Sequence, residues 1–271
     1  MLHRMSHQHA NLVALILKNV PFFGALLMSF LWPLNLWSHD ITAVVKATKP
    51  SVVGIGLYDA LGAQQHQLRG SGFAFGNGQF IATNHHIIDK KLDPTVVQHW
   101  VVYVGTGRTV KHYKADIVAR DTERDLAILK IGAEIPALQL AKNDYVSEGT
   151  EVLLTGFPIG AVLGLYPATH RGIVATLTPD VLPTSNTKQL KANVLNRLKN
   201  PFFIYQLDIT AFPGNSGSAV YDAKTGKVVA VLNKVFVSAG KESVLDKPSG
   251  ISYAVPVKHL RKLAKQAKIG L

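Results

Sequence analysis

A chain of 271 residues that is 47% hydrophobic and only 17% charged carries enough apolar surface for a sizeable core, which excludes a disordered chain and leaves one large all-β domain or two smaller ones. The absence of cysteine excludes disulfide staples, thiolate zinc sites and cysteine nucleophiles. A formal net charge of +12 fits a solvated basic surface or an anionic membrane partner, and no zinc-finger spacing or RNP-like aromatic motif supports nucleic acid.

Residues 1–38 hold no Asp or Glu, and Arg4 and Lys18 are their only Lys or Arg. From Val20 to Trp37 the chain reads VPFFGALLMSFLWPLNLW. A basic start before an apolar run is the pattern of a secretory signal peptide or an uncleaved signal anchor. His3, His7 and His9 lie in this leader and receive no metal-binding role. Next, Asp40 is placed to cap a short helix, ITAVVKAT, which Pro50 ends.

Strand-like runs then follow at short intervals. They are SVVGIGL (51–57), GFAF (72–75), FIATN (80–84), WVVYV (100–104), LAILKI (126–131), EVLLTG (151–156), GIVATL (172–177), SAVYD (218–222), KVVAVLNKVFV (227–237) and GISYAV (250–255). Many are rich in Val and Ile and are bounded by Gly, Pro, Asn or Asp. No long helix separates successive strands, which disfavours a βαβ parallel sheet. The pattern predicts an all-β fold of closed antiparallel sheets, two barrels side by side, with short peripheral helices. Helical periodicity marks residues 187–199, with Leu190, Val194, Leu195 and Leu198 on one face, and residues 257–269, with Val257, Leu260, Leu263, Ala264 and Ala267 on one face. The second helix carries Lys258, Arg261, Lys262, Lys265 and Lys268 on its other face. The expected organisation is a leader (1–38), a β domain (39–257) and a basic amphipathic C-terminal helix (258–271).

Three segments carry chemistry. FPGNSGSAV (212–220) sets Ser216 in a glycine-rich turn. Such a turn exposes a hydroxyl and lets backbone N–H groups converge on a developing oxyanion. FIATNHHIID (80–89) offers His85 and His86 at a strand end, and a serine hydroxyl needs an imidazole to take its proton. ERDLAILKI (123–131) puts Asp125 directly before a strand, with Asp121 and Glu123 as competing acids. A carboxylate there can hold the imidazole in one tautomer. The chain order His, Asp, Ser is that of chymotrypsin-type proteases and differs from that of subtilisins and α/β-hydrolases.

From about Val44 to Val257 the chain resembles the HtrA/Deg branch of trypsin-like serine proteases. The similar segments are PSVVGI (50–55), GSGFAF (70–75), IATNHHIID (81–89), DLAILKI (125–131), GFPIG (156–160), RGIVATL (171–177), QLDITAFPGNSGSAV (206–220) and GISYAVPV (250–257). The resemblance implies a triad of His86, Asp125 and Ser216, since the family's histidine follows a T-N-x pattern and its acid opens a D-[LI]-A-[LI] strand. It also implies an oxyanion hole from the N–H groups of Gly214 and Ser216, polypeptide substrates and no cofactor. Thr210 stands near the floor of the P1 pocket and Val231 to Lys234 near its walls, so Thr210, Val231 and Asn233 are the expected substrate-binding residues. Thr210 supplies no charge for Lys or Arg, and small or medium apolar P1 residues are expected. Asn215 replaces the Asp that digestive relatives pair with a newly released amino terminus, so no activating cleavage is expected.

The chain departs from the family's pattern at Ser218 and Ala219, where Gly-Pro is usual, and by a longer loop over residues 179–201. A C-terminal PDZ domain is not expected. The implied setting is the bacterial envelope, periplasmic or membrane-anchored, in protein quality control. The competing expectation is a degenerate protease fold that binds or chaperones without cleaving.

Overall fold

The computed structural model describes residues 40–158, 164–180, 201–235 and 250–271. The expected leader and the expected helix at 187–199 lie outside these residues. The described chain opens on helix α1 (Ile41–Thr48), whose first turn is capped by Asp40 accepting from the Thr42 N–H at 2.9 Å. Pro50 falls in the 3₁₀ turn Lys49–Ser51 that follows, and the apolar face of Ile41, Val44 and Val45 packs on the core.

Twelve strands follow among the described residues. The first six are β1 (Val52–Asp59), β2 (His66–Phe75), β3 (Phe80–Thr83), β4 (Gln98–Val104), β5 (Lys111–Asp121) and β6 (Leu126–Ile131). They close an antiparallel barrel in the order β1-β2-β3-β6-β5-β4. The second six are β7 (Glu151–Gly156), β8 (Ala168–Pro179), β9 (Phe203–Asp208), β10 (Ala219–Asp222), β11 (Val228–Val235) and β12 (Ile251–Pro256). They close a second barrel, β10-β11-β12-β9-β8-β7. Closure leaves neither sheet with an open edge. The expected all-β pair of antiparallel barrels is therefore the observed fold.

Strand alternation sorts the apolar residues into three cores. Val53, Ile55, Ala74, Ala127 and Leu129 fill the first barrel. Val152, Leu154, Val220 and Ala230 fill the second. The intervening residues of the same strands, Phe73, Phe75, Leu126, Ile128, Leu153 and Tyr221, form a third core that joins the barrels. Strands buried on both faces read as unbroken apolar runs, which is why LAILKI and EVLLTG match β6 and β7 end to end.

Two strands escaped the sequence reading. β5 exposes Lys111, His112, Lys114, Asp116 and Arg120 and fully buries only Ala115. Its pairing with β4 and β6, not its composition, makes it a strand. β9 is short and buries Tyr205 and Leu207 alone.

The chain turns at Pro256 into helix α2 (Val257–Gln266), which buries Val257, Leu260, Leu263 and Ala264 as the periodicity predicts. Two of its four cations dock it. Lys258 places its ammonium 3.8 Å from the centre of the Tyr145 ring. Arg261 donates to the carbonyls of Ala141 and Asn143 and to Asp144 at 2.7 Å. Among the described residues no helix is long and apolar enough to cross a membrane.

Candidate active site

β3 runs into Asn84 and a single 3₁₀ turn, His85–Ile87. β6 is preceded by Asp125, which adopts a left-handed φ of 53°. A non-glycine residue there is strained and persists only where its surroundings hold it. Four hydrogen bonds do so. The Asp125 carbonyl accepts from the His85 N–H at 3.2 Å and from Asn84 Nδ2 at 3.0 Å. Its Oδ1 accepts from the His86 N–H at 2.8 Å and its Oδ2 lies 2.6 Å from His86 Nδ1. A carboxylate can only accept, so His86 carries its proton on Nδ1 and leaves Nε2 with a lone pair.

The structure therefore places the imidazole of His86, and not that of His85, against the Asp125 carboxylate. His85 Nδ1 is buried without a partner among the described residues. The competing acids Asp121 and Glu123 engage Arg124 instead, at 3.2 and 3.0 Å.

The serine lies in the second barrel. The Asn215 N–H donates to the Phe212 carbonyl and the Ser218 N–H to the Asn215 carbonyl, both at 3.0 Å, which folds residues 212–218 into consecutive turns. Gly214 and Gly217 sit at φ 96° and 84°, conformations that a side chain would strain. Among the described residues the N–H groups of Gly214 and Ser216 have no intramolecular acceptor. Ser216 Oγ donates to the Asn233 carbonyl over a long 3.4 Å, and no hydrogen bond joins it to His86.

A residue of the first barrel holds this turn. Ser71 is fully buried on β2. Its N–H donates to the Ser216 carbonyl at 2.9 Å, and its Oγ donates to the Gly214 carbonyl at 2.7 Å while accepting from the Phe157 N–H at 2.9 Å. Thr83 Oγ1 in turn donates to the Ser71 carbonyl at 2.8 Å. A Cβ at Gly217 would run into that same Ser71 carbonyl, so the barrels touch backbone to backbone here. Sequence reasoning gave Ser71 no role. The available signal was a serine between Gly70 and Gly72, since glycines inside a strand mark close backbone approach.

The expected substrate-binding residues separate. Thr210 is half-buried between β9 and the serine turn. Its neighbour Ile209 is fixed by Gly250 and Ser252, at 2.9 and 2.8 Å. Asn233 lies at a register shift of β11 and presents its carbonyl to Ser216. Val231 is placed elsewhere, opposite Ala219 with no exposed surface, inside the inter-barrel core. The expectation that Val231 lines an open pocket is corrected by that burial. The side chain of Lys234 lies outside the description. His170 packs its ring 5.7 Å from Phe212, at the start of the serine turn, and burial pushes its pKa below the ordinary histidine value.

A family model described as a trypsin-like peptidase domain matches residues 70–231. A probable periplasmic serine endoprotease DegP-like of Marinomonas sp. is 27% identical over 205 residues, which are 75% of this chain and 36% of that protein. The protein of the same description from Chlamydia trachomatis is 28% identical over 194 residues, 71% of this chain and 32% of that one. The chain thus spans about a third of the length of these curated relatives. Among solved structures, the HtrA-type protease AlgW with tripeptide superposes with a TM-score of 0.61 at 23% identity, over 84% of this chain and 63% of that one. The serine endoprotease from Yersinia pestis gives 0.59 at 21%, over 84% and 66%. At these identities the likeness establishes the fold.

Proposed function

This chain belongs to the trypsin-like peptidase domain family, and on that premise we propose that it is a serine endopeptidase acting through Ser216, His86 and Asp125. The observation that carries the reading is the double grip of Asp125 on the His86 N–H and Nδ1. It fixes the imidazole's orientation and leaves Nε2 as the base. In the reaction Ser216 Oγ attacks the peptide carbonyl carbon and its proton passes to Nε2. The N–H groups of Gly214 and Ser216 receive the oxyanion. His86, its positive charge stabilised by Asp125, then protonates the leaving amine, and water repeats the sequence on the acyl-enzyme. The mechanism uses no metal or organic cofactor. It requires the Ser216 hydroxyl to turn from the Asn233 carbonyl to His86, and the hydrogen bond it gives up is a long one. Such contacts commonly tighten only in the substrate complex.

Thr210 offers no counter-charge, so the P1 site takes small or medium apolar side chains. The sequence of the leader (1–38) and the periplasmic relatives support export to the bacterial envelope, as a periplasmic or membrane-anchored enzyme acting in protein quality control. The cations that docking does not use, Lys262 and Lys265 on α2 and Lys268 just beyond it, suit an anionic membrane surface.

One observation favours a second reading. If the Ser216 hydroxyl stays on Asn233, the chain is a degenerate fold that binds or chaperones polypeptides without cleaving them. Labelling with a serine-directed fluorophosphonate decides between them. The active-enzyme reading expects stoichiometric labelling of the wild type and none of Ser216→Ala. An unlabelled, folded wild type would establish the second reading.

A further inference from the structure

A cleft of about 490 Å³ is lined by residues of the first barrel and of the connection after the His86 turn. One side is the connection that follows the His86 turn, with Asp89, Lys90 and Lys91. The other is the outer face of β5, with Lys114, Asp116 and Arg120. The four cations are exposed, and among the described residues none of them has a carboxylate within ion-pair distance. Four unpaired cations around one hollow repel one another, and an anionic occupant relieves that repulsion. Burial pushes the imidazole of His99, on the cleft wall, below its ordinary pKa, and Lys114, His66 and His112 push it the same way.

The floor narrows the choice of anion. It includes the ring of Trp100, which is 4% exposed, and the half-buried Leu92 and Ile117. Asp89 and Asp116 stand among the lysines. Two carboxylates repel a uniform polyanion such as a polyphosphate or a nucleic-acid backbone. They tolerate a polypeptide whose acidic side chains are spaced by apolar ones, and they accept from its N–H groups.

The cleft is also wired to the candidate site. Arg69 Nε donates to the Ile87 carbonyl at 2.8 Å, one residue after His86. The same guanidinium lies 3.8 Å from Asp89 Oδ1 and 5.8 Å from the centre of the Trp100 ring. Asp89, at the edge of the cleft, follows His86 by three positions of chain.

We propose that this cleft is a docking site for acidic polypeptide segments, which selects substrates carrying such a segment beside the scissile bond. The selection of substrates rests on the endopeptidase reading; the binding does not.

The test uses the full chain with Ser216→Ala and a fluorescein-labelled decapeptide in which Glu alternates with Leu and Ala. Anisotropy should show saturable binding at low salt that weakens with added salt. A peptide with Gln at the Glu positions should not bind. Lys90→Glu with Lys114→Glu, both exposed, should weaken binding about tenfold, the worth of two exposed ion pairs. The control is Lys262→Glu with Lys265→Glu on α2. An equal loss in the control would mean that net charge alone is read, and would overturn the site. So would tighter binding of a polyphosphate of the same charge. In the active chain, the Lys90/Lys114 pair should raise KM for a substrate with a Glu-rich flank and leave kcat and neutral substrates unchanged. An unchanged KM would overturn the substrate role. Peptide binding with no hydrolysis of any substrate would instead break the endopeptidase reading while the docking site stood.

Discussion

The two halves of the candidate site are held in different ways. His86 and Asp125 both belong to the first barrel, and the left-handed Asp125 is locked to Asn84 and the 3₁₀ turn after it through four hydrogen bonds. Ser216 belongs to the second barrel, yet its turn is pinned from the first by Ser71. The proposed acid–base pair is thus complete within one barrel, whereas the serine turn depends on the contact between barrels. That difference separates two ways of losing activity. On the proposed mechanism, damage to the first half removes a proton acceptor. Damage to the inter-barrel contact leaves the acceptor intact and misplaces the nucleophile and the N–H groups around it.

The largest effects should come from the reacting groups. Ser216→Ala and His86→Ala are each expected to lower kcat about 10⁶-fold while the protein stays folded, by analogy with subtilisin. Asp125→Asn is expected to cost about 10⁴-fold, by analogy with the triad acid of trypsin. Steady-state hydrolysis of a peptide substrate, alongside circular dichroism, measures both. Near-full activity of His86→Ala with loss in His85→Ala would invert the assignment and break the comparison at its first half.

Ser71→Ala sharpens the second half. It deletes the bond to the Gly214 carbonyl and leaves the buried Phe157 N–H without a partner. That should cost about 1–3 kcal/mol of stability. The activity change should fall on kcat, about ten- to a hundred-fold, because a displaced oxyanion donor is felt in the transition state. KM should hold. The pH midpoint of kcat should also hold, because the His86–Asp125 pair does not touch Ser71. A shifted midpoint would show that the two halves are not independent.

The contrast also explains what the sequence could reveal. The segments around His86, Asp125 and Ser216 are short and contiguous, so their residue types and order were legible. The bare residues left His85 and His86 open, because the choice depends on which N–H meets Asp125 Oδ1 across 39 positions of chain. Ser71 acts on Gly214 from 143 positions away, a relation that no local pattern announces. Val231 was misplaced because β11 is buried on both faces. Ala230 and Leu232 enter one core and Val231 another, so alternation carries no inside-outside signal there. β5 was missed for the opposite reason, since its outer face is almost wholly polar.

A smaller effect distinguishes the barrels by their histidines. His86 is exposed and partnered. His259, on α2, packs edge-on to Phe202 at 5.6 Å, and its Nε2 is buried without a partner among the described residues. Burial, then Arg124 and Lys258, push its pKa down to about 4, with Asp121 opposing. The unfolded chain protonates this group near 6.5 and the folded chain near 4. Above 6.5 both forms are neutral and the contribution is fully present. As pH falls from 6.5 toward 4 the unfolded state gains a proton that the folded state refuses, and stability is lost. With solvent screening discounted, the loss is about 1–2 kcal/mol. His170, lowered in the same direction, adds to it. Urea titrations at pH 7.5 and 4.5 should show this loss in the wild type and a smaller one in His259→Gln. Equal losses in both would remove His259 from the account.

The smallest expected effect is none at all, and it concerns how the serine turn becomes ordered. In digestive relatives a buried Asp before the serine pairs with a newly released amino terminus, and the turn forms only after cleavage. Here that position is Asn215, which is fully buried and neutral. Its turn is already closed by backbone bonds from Asn215 and Ser218 and by the two bonds from Ser71. The described residues ahead of β1 are occupied elsewhere. α1 lies on the inter-barrel core, with Val44 and Thr48 against Gly226 in the loop between β10 and β11. A folded tag fused ahead of Asp40 should therefore leave kcat/KM within about twofold, inside the range of harmless surface changes. Matched progress curves of tagged and untagged protein, with mass spectrometry to confirm that neither is clipped, make the comparison. Activity that emerges only after cleavage at one internal bond would mean that Ser71 does not suffice to order the turn, and that the serine half depends on a third element.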